Sequence, residues 1–305
     1  MIIFSSEKIP EPGMWLQFDW GEGPRIGGRR TQLFCAWLSW SRLRVVLPAW
    51  DQTLGTLVAC LDATLRRLDG ASTYVLTDNA KTVTVDRVAG VAVRHPEIVA
   101  AGRHYGCTVQ TCQPFDPESK GGAEHTVKIA KADLVPTTAN FLDAYATFTD
   151  LTDACFDWCE RVNARPHRET AAAPVDRLVV ERRHLHVLPA EPHAVALGQE
   201  RLVETDQTIR FGSVRYSTPP GHVGSKVWCR VVGEELAIVA RTGPSCGGGL
   251  AEIARHALST PGTRASATST TRTIRAGTCP AHHGRRPAPP PRKRSCAWVR
   301  VRTGG

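Results

Sequence analysis

Between Trp15 and Asp78 the side-chain pattern changes period in an order that few folds accept. Leu16, Phe18 and Trp20 alternate with Gln17 and Asp19, which is a strand sending one set of side chains to each face. Gln32 to Trp40 and Leu43 to Leu47 read as two further strands joined at the hairpin Ser39-Trp40-Ser41-Arg42. From Thr53 to Leu68 the spacing of Leu54, Leu57, Val58, Leu61 and Leu65 becomes helical, with Gly70 as its stop. Thr73 to Thr77 is then a short buried strand that ends at Asp78. Three strands, an amphipathic helix and a further strand predict an α/β fold, a mixed sheet flanked by helices.

The remaining chain divides by composition. Cys107 to Cys112 reads as another strand, Pro114 and Pro117 break the chain, and a helix follows that carries Glu124. A second long helical pattern spans Phe141 to Val162. Prolines at 166, 174, 189 and 192 mark a connecting arm. From Arg201 to Arg241 short strands punctuated by Gly212, Gly221, Gly224 and Gly233 predict a small β-barrel of about five strands. After Ser259 the chain is rich in Thr, Ser, Arg, Pro and Gly, a composition expected to stay disordered. The expected organisation is a core over 1–162, an arm over 163–199, a barrel over 200–243, and a linker with a basic tail over 244–305.

Charge alone says less than its total suggests. Of the formal +9, nine basic residues without an acid lie after Thr271, leaving 29 basic against 29 acidic residues in the body. The ten cysteines form no CxxC pair or zinc spacing, and Cys155 and Cys159 read as two positions on one helix face. No leader is read at Met1-Ile2-Ile3-Phe4 and no apolar run reaches membrane length, so reduced thiols in a cytoplasm are expected. Gly21-x-Gly23 lacks the rest of a dinucleotide loop, and no phosphate-binding loop, nucleophile elbow or zincin motif occurs. ATP use by this chain is therefore not expected. His184, His186, His282 and His283 have no ligand-spaced partners and read as solvated.

The chemistry rests on three acids in three settings. Asp19 and Asp78 end strands, and Glu124 opens the helix after Ser119-Lys120-Gly121-Gly122. Taken singly, each aspartate reads better as a turn residue. Their conjunction favours a metal site, because magnesium takes hard oxygen ligands and keeps positions open for phosphate oxygens. Lys120, Glu124, Lys128 and Lys131 share one helix face, while Ala123, Val127, Ala130 and Leu134 form an apolar neighbouring face that would anchor the helix. Such a charged face is often only solvated; beside a metal-bound Glu124 its lysines would suit phosphate contacts, as would Asn79 next to Asp78. Glu118 competes with Glu124 as the third ligand.

These residues resemble a known family. Gln17-Phe18-Asp19-Trp20-Gly21, Thr77-Asp78-Asn79 and Asp116-Pro117-Glu118-Ser119-Lys120-Gly121-Gly122-Ala123-Glu124 are similar to the IstA-type transposases of the insertion sequence 21 family, which are integrase-like DDE recombinases of ribonuclease-H-like fold. The likeness continues through Val162-Asn163-Ala164-Arg165-Pro166-His167-Arg168 and Val214-Arg215-Tyr216-Ser217-Thr218-Pro219, to about Gly262. It implies a catalytic, metal-binding triad of Asp19, Asp78 and Glu124 with two Mg2+ or Mn2+ ions, hydrolytic nicking at transposon ends, and attack of the freed 3′-hydroxyl on target DNA. It also implies DNA contacts from Lys128 and Lys131, a homo-multimer, and an ATPase helper protein of the same element. The family's end-binding helix-turn-helix region is not found ahead of Trp15, and after Gly262 the family pattern gives way to the acid-free tail. A truncated, frameshifted and inactive remnant is thus one expectation, and a DNA-binding or multimerising module without turnover is the alternative.

Overall fold

The computed structural model describes residues 11–78, 83–88, 91–111, 121–242, 249–259, 264–265 and 272–273. Asn79, Glu118, Lys120 and the basic tail beyond 273 lie outside the described residues.

The first sheet has the strand order β3-β2-β1-β4-β7. Strands β1 (Trp15–Ile26), β2 (Arg29–Leu38) and β3 (Arg44–Ala49) form an antiparallel meander. Strand β4 (Tyr74–Thr77) then pairs parallel to β1, reached through helix α1 (Leu54–Leu68). After the hairpin of β5 (Thr84–Val88) and β6 (Val91–Arg94), helix α2 (Pro96–Tyr105) returns the chain to β7 (Thr108–Thr111), parallel to β4. Helix α3 (Gly121–Leu134) and helix α4 (Phe148–Asn163) complete a ribonuclease-H-like arrangement of a mixed sheet flanked by helices. Parallel neighbours need crossovers of this kind, since a tight turn joins only antiparallel strands.

Both faces of the sheet are covered, so each period-two strand buries both sets of side chains. Leu16, Phe18, Phe34, Ala36, Leu38 and Val45 meet α1 and α2 through Leu57, Leu61, Leu65, Ile98 and Tyr105. The opposite set, including Leu33, Cys35 and Val46, meets α3 and α4 through Ala130, Leu134, Leu151, Cys155, Trp158 and Cys159. Each fully buried large apolar side chain contributes about 1.5–3 kcal/mol, which makes these two layers the main source of stability.

The helix ends differ from the sequence reading in instructive ways. Thr53 caps α1 by accepting Thr56 N–H, but the left-handed residue that stops it is Asp69 (φ 64°), not Gly70. Gly70 N–H bonds back to Leu65 O, and a Cβ there would lie 2.5 Å from Leu185 Cβ, so its smallness serves packing. Helix α4 begins at Phe148 and not at Phe141, because Thr147 and Asp150 form a reciprocal capping box. Phe141, in the loop before it, is 90% exposed. Helix α2 was not anticipated, although His95 as N-cap, Pro96 at its first turn and left-handed Gly106 at its end are standard signals.

Residues 163–199 lie against the first sheet. Helix α5 (Pro174–Glu181) buries Leu178 in the main core. Glu181, fully buried, accepts Gly13 N–H and Ser41 N–H at 3.1 Å each, tying this segment to the start of β1 and to the β2–β3 turn. The free edge of β3 is closed from α4: Asn163 accepts Arg44 N–H at 2.8 Å and donates to Arg44 O at 2.7 Å. An amide side chain thereby replaces the missing neighbouring strand, one remedy for an exposed sheet edge.

The β-rich region runs through β8 (Gln199–Leu202), β9 (Thr208–Phe211), β10 (Val214–Ser217), β11 (Lys226–Val232), β12 (Glu235–Thr242), β13 (Gly249–Ala257) and the two-residue strands β14 (Arg264–Ala265) and β15 (Arg272–Thr273). They form two sheets, β15-β13-β12-β11-β8 and β14-β10-β9, around Ile209, Tyr216, Val227, Cys229, Ile238 and Ile253. This small β-module touches the first domain where the Trp50 indole donates to Gly233 O at 2.5 Å.

Candidate nucleic-acid strand-transfer site

The two aspartates belong to neighbouring strands. Gln17 of β1 pairs with Leu76 of β4, and the pairing ends there, two residues before Asp19 and two before Asp78. Parity also puts them on one face. Val75 lies with Leu16 on the α1 side, so Gln17, Asp19, Gly21, Leu76 and Asp78 belong to the side that α3 and α4 cover. Asp19 is half-buried, and its Oδ1 accepts Trp20 N–H at 2.8 Å; Asp78 is exposed, with Thr77 Oγ1 at 3.4 Å from its Oδ1.

Helix α3 lies over this face because two glycines let it approach. A Cβ on Gly122 would stand 2.1 Å from the Trp37 ring, and one on Gly21 would stand 2.9 Å from Val127 Cγ1. Since Trp37 is opposite Gln17 in the β1–β2 register, the helix passes from the level of Gln17 to that of Gly21. Glu124 lies between these two contacts along the helix. It is exposed on the helix flank, as are Lys128 and Lys131, while Ala123, Thr126, Ala130 and Leu134 are buried. Lys131 borders an open groove with Glu22, Gly23, Pro24, Arg25 and Val135, where β1 is irregular between Glu22 and Arg25. The anchoring face and the outward charged face expected for this helix are both present.

Asp19, which lies inside β1 and not at its end as the sequence suggested, and Asp78, directly after β4, offer hard carboxylate oxygens of the kind a divalent cation takes. Among the described residues no three His, Cys, Asp or Glu side chains lie together as a metal cage, so Glu124 is not gathered onto the aspartate pair here. Among the described residues the cysteines join no cluster of three His, Cys, Asp or Glu side chains. Burial pushes the thiols of Cys35, Cys155 and Cys159 up, Cys60 to about 12 and Cys107 to about 11. For Cys35, Asp19 adds to that rise, behind burial and Cys155. Among the described residues no helix is long and apolar enough to cross a membrane.

A row of side chains on the same face escaped the sequence reading. Trp37 and Arg44 are cross-strand partners, both buried, and Arg42 lies over the Trp37 ring at 5.0 Å. A lone arginine in an apolar edge strand gives no spacing signal. Only the sheet register brings these residues together.

Residues 188–267 match the family model described as the Mu transposase C-terminal domain. Over 221 residues the chain is 25% identical to the presumed transposase for insertion sequence element IS5376 of Geobacillus stearothermophilus, covering 71% of this chain and 54% of that one. Over 126 residues it is 32% identical to the transposase for an IS21-like insertion sequence element of Bacteroides fragilis, covering 38% of this chain and 22% of that one. The chain thus spans about half the length of the first relative and about a fifth of the second. Among solved structures, the catalytic core domain of BIV integrase aligns with TM-score 0.40 and 15% identity, over 56% of this chain and 97% of that one. The chain is similar to insertion-sequence transposases, in keeping with the insertion sequence 21 resemblance of its motifs.

Proposed function

We propose that this chain carries the catalytic core of a DDE transposase that nicks DNA at transposon ends and joins the freed 3′-hydroxyls to target DNA. The observation that supports this reading is the β1–β4 pairing up to Gln17 and Leu76, which puts Asp19 and Asp78 on neighbouring strands and on the face crossed by the Glu124 helix. Asp19 and Asp78 would hold metal ions, with Glu124 as third ligand. Two Mg2+ or Mn2+ ions at these carboxylates would activate the attacking water or hydroxyl and stabilise the leaving oxygen. Lys128 and Lys131, exposed on the flank of α3, would bind backbone phosphates without reading bases; Lys120 and Asn79 are assigned the same role. The β-module and the α5 segment would serve multimer assembly on DNA, with an ATPase helper of the same element supplying nucleotide hydrolysis.

The alternative is a DNA-binding or multimerising module without turnover. It draws on Glu124 standing apart from the aspartate pair among the described residues. The test is Mn2+-dependent nicking and strand transfer on short duplexes, with Asp78→Asn and Glu124→Gln as variants. The proposal expects activity in the wild type and its loss in both variants. Activity that survives Glu124→Gln moves the third ligand to Glu118. Inactivity of all three proteins, together with Mn2+ binding indifferent to Asp78→Asn, refutes the catalytic reading.

A further inference from the structure

The Trp37–Arg44 row is unusual in its balance of charge. Arg44 is 6% exposed and Trp37 is 8% exposed. The Nε of Arg44 and the indole Nε1 of Trp37 have no hydrogen-bond partner. The guanidinium of Arg44 makes one weak bond, Nη1 to Arg42 O at 3.4 Å, and among the described residues it has no carboxylate partner. Burial holds the Arg44 pKa below its ordinary value, and the like charge of Arg42 adds to that. Burying a cation without an anion is costly, and a buried donor left unpaired costs about 1–3 kcal/mol.

The surrounding groups are also donors. Arg42 gives its Nη2 to Glu169 at 2.9 Å and leaves its Nε unpaired. His167 lies within electrostatic reach of both arginines. Its Nδ1 accepts Glu169 N–H at 3.3 Å, so the neutral ring carries its proton on Nε2. Four donor side chains therefore gather against a single acid, Glu169, which is already bound to Arg42.

We propose that Trp37, Arg42, Arg44 and His167 form a pocket for one phosphate group, either a phosphodiester of bound DNA or free inorganic phosphate. A tetrahedral oxyanion supplies the acceptors that these buried donors lack, and its charge offsets that of Arg44. The pocket shares a sheet face with Asp19; it lies two residues earlier along the strands and one to two strands across, so the backbone separation from Asp19 is roughly 8 Å for Trp37 and roughly 12 Å for Arg44. A DNA strand reaching the aspartates therefore has this second anchor in range. The DNA source rests on the proposed transposase function; the oxyanion pocket itself does not.

The experiment uses the full chain without divalent metal, so that its result is independent of nicking activity. Thermal unfolding is measured in potassium phosphate and in potassium chloride of equal ionic strength. The pocket predicts that saturating phosphate raises the wild-type Tm by roughly 3 °C or more beyond chloride. Arg44→Met removes the unpaired charge while keeping volume. It should hold or raise Tm in chloride and lose the phosphate effect. Trp37→Phe keeps the ring and removes one donor, and should weaken phosphate binding about five-fold. Binding of an unrelated duplex at several salt concentrations distinguishes the sources: if the phosphate comes from DNA, Arg44→Met reduces the salt slope by about 0.9. An unchanged slope with a lost phosphate effect assigns the pocket to free phosphate. No phosphate-specific rise in the wild type, or an equal rise in Arg44→Met, overturns the proposal.

Discussion

Replacing Asn163 by Ala tests how the edge of the first sheet is closed. Asn163 is 6% exposed and lies at the end of α4, one turn after Cys159. Its amide satisfies both backbone groups of Arg44, at 2.8 and 2.7 Å. Beside it, Val46 N–H reaches Cys159 Sγ at 3.2 Å. Alanine leaves a buried N–H and a buried C=O without partners, each costing about 1–3 kcal/mol, so the expected loss is about 2–5 kcal/mol. For a chain of this size that is a Tm decrease of roughly 5–15 °C. Urea unfolding should show a lower midpoint with an unchanged slope. Hydrogen exchange provides the local control: the Arg44 amide loses protection, while amides in the β1–β4 pairing keep theirs relative to the new global stability. A loss under about 0.5 kcal/mol with Arg44 still protected would refute the reasoning, because water or a backbone shift would then be satisfying the edge.

The two adjacent glycines of α3 should behave oppositely. Gly121→Ala meets nothing within 4 Å and should be neutral or stabilising by up to about 1 kcal/mol, whereas Gly122→Ala drives a methyl into the Trp37 ring and should cost about 1–3 kcal/mol. Equal midpoints for the two variants in chemical unfolding would refute the close approach of α3. Glu181→Gln turns an NH2 toward either Gly13 N–H or Ser41 N–H and should cost about 1–3 kcal/mol; an unchanged midpoint would show that Glu181 does not tie α5 to the sheet. Burial holds His167, His193 and His256 below their ordinary pKa, with neighbouring Arg44 adding to the effect for His167 and His104 for His193. The unfolded chain therefore takes up these protons first, and stability falls as pH drops through about 6.5 toward the folded values. Tm measured at pH 7.5 and 5.5 should fall with acid, and His256→Gln, which keeps a donor for Ser217 O, should flatten that fall. A steeper fall in the variant would contradict the assignment.

Read alone, the sequence determined much of what depends on local period, though α2 was missed despite its Pro96 and Gly106 signals. Alternation in Leu16, Phe18 and Trp20, the helical spacing of Leu57, Leu61 and Leu65, and the apolar strand before Asp78 all predicted elements that are present. Their order implied the mixed sheet, and Asp19, Asp78 and Glu124 stood out because each was read at an element end or on a marked helix face, although Asp19 lies inside β1. What failed locally was where two signals competed. The apolar run from Phe141 imitated helix, but the capping box of Thr147 and Asp150 satisfied orphan N–H groups only from Phe148 onward. The tertiary structure decided what lies between elements that are distant along the chain. The pairing of Gln17 with Leu76 makes the strands of Asp19 and Asp78 neighbours, Trp37 needs Gly122 to admit α3, and Asn163 closes the edge that Arg44 leaves open. None of these follows from spacing, because sheet register and helix docking depend on burying two faces at once, and a residue's partner is then set by the packing of the whole layer.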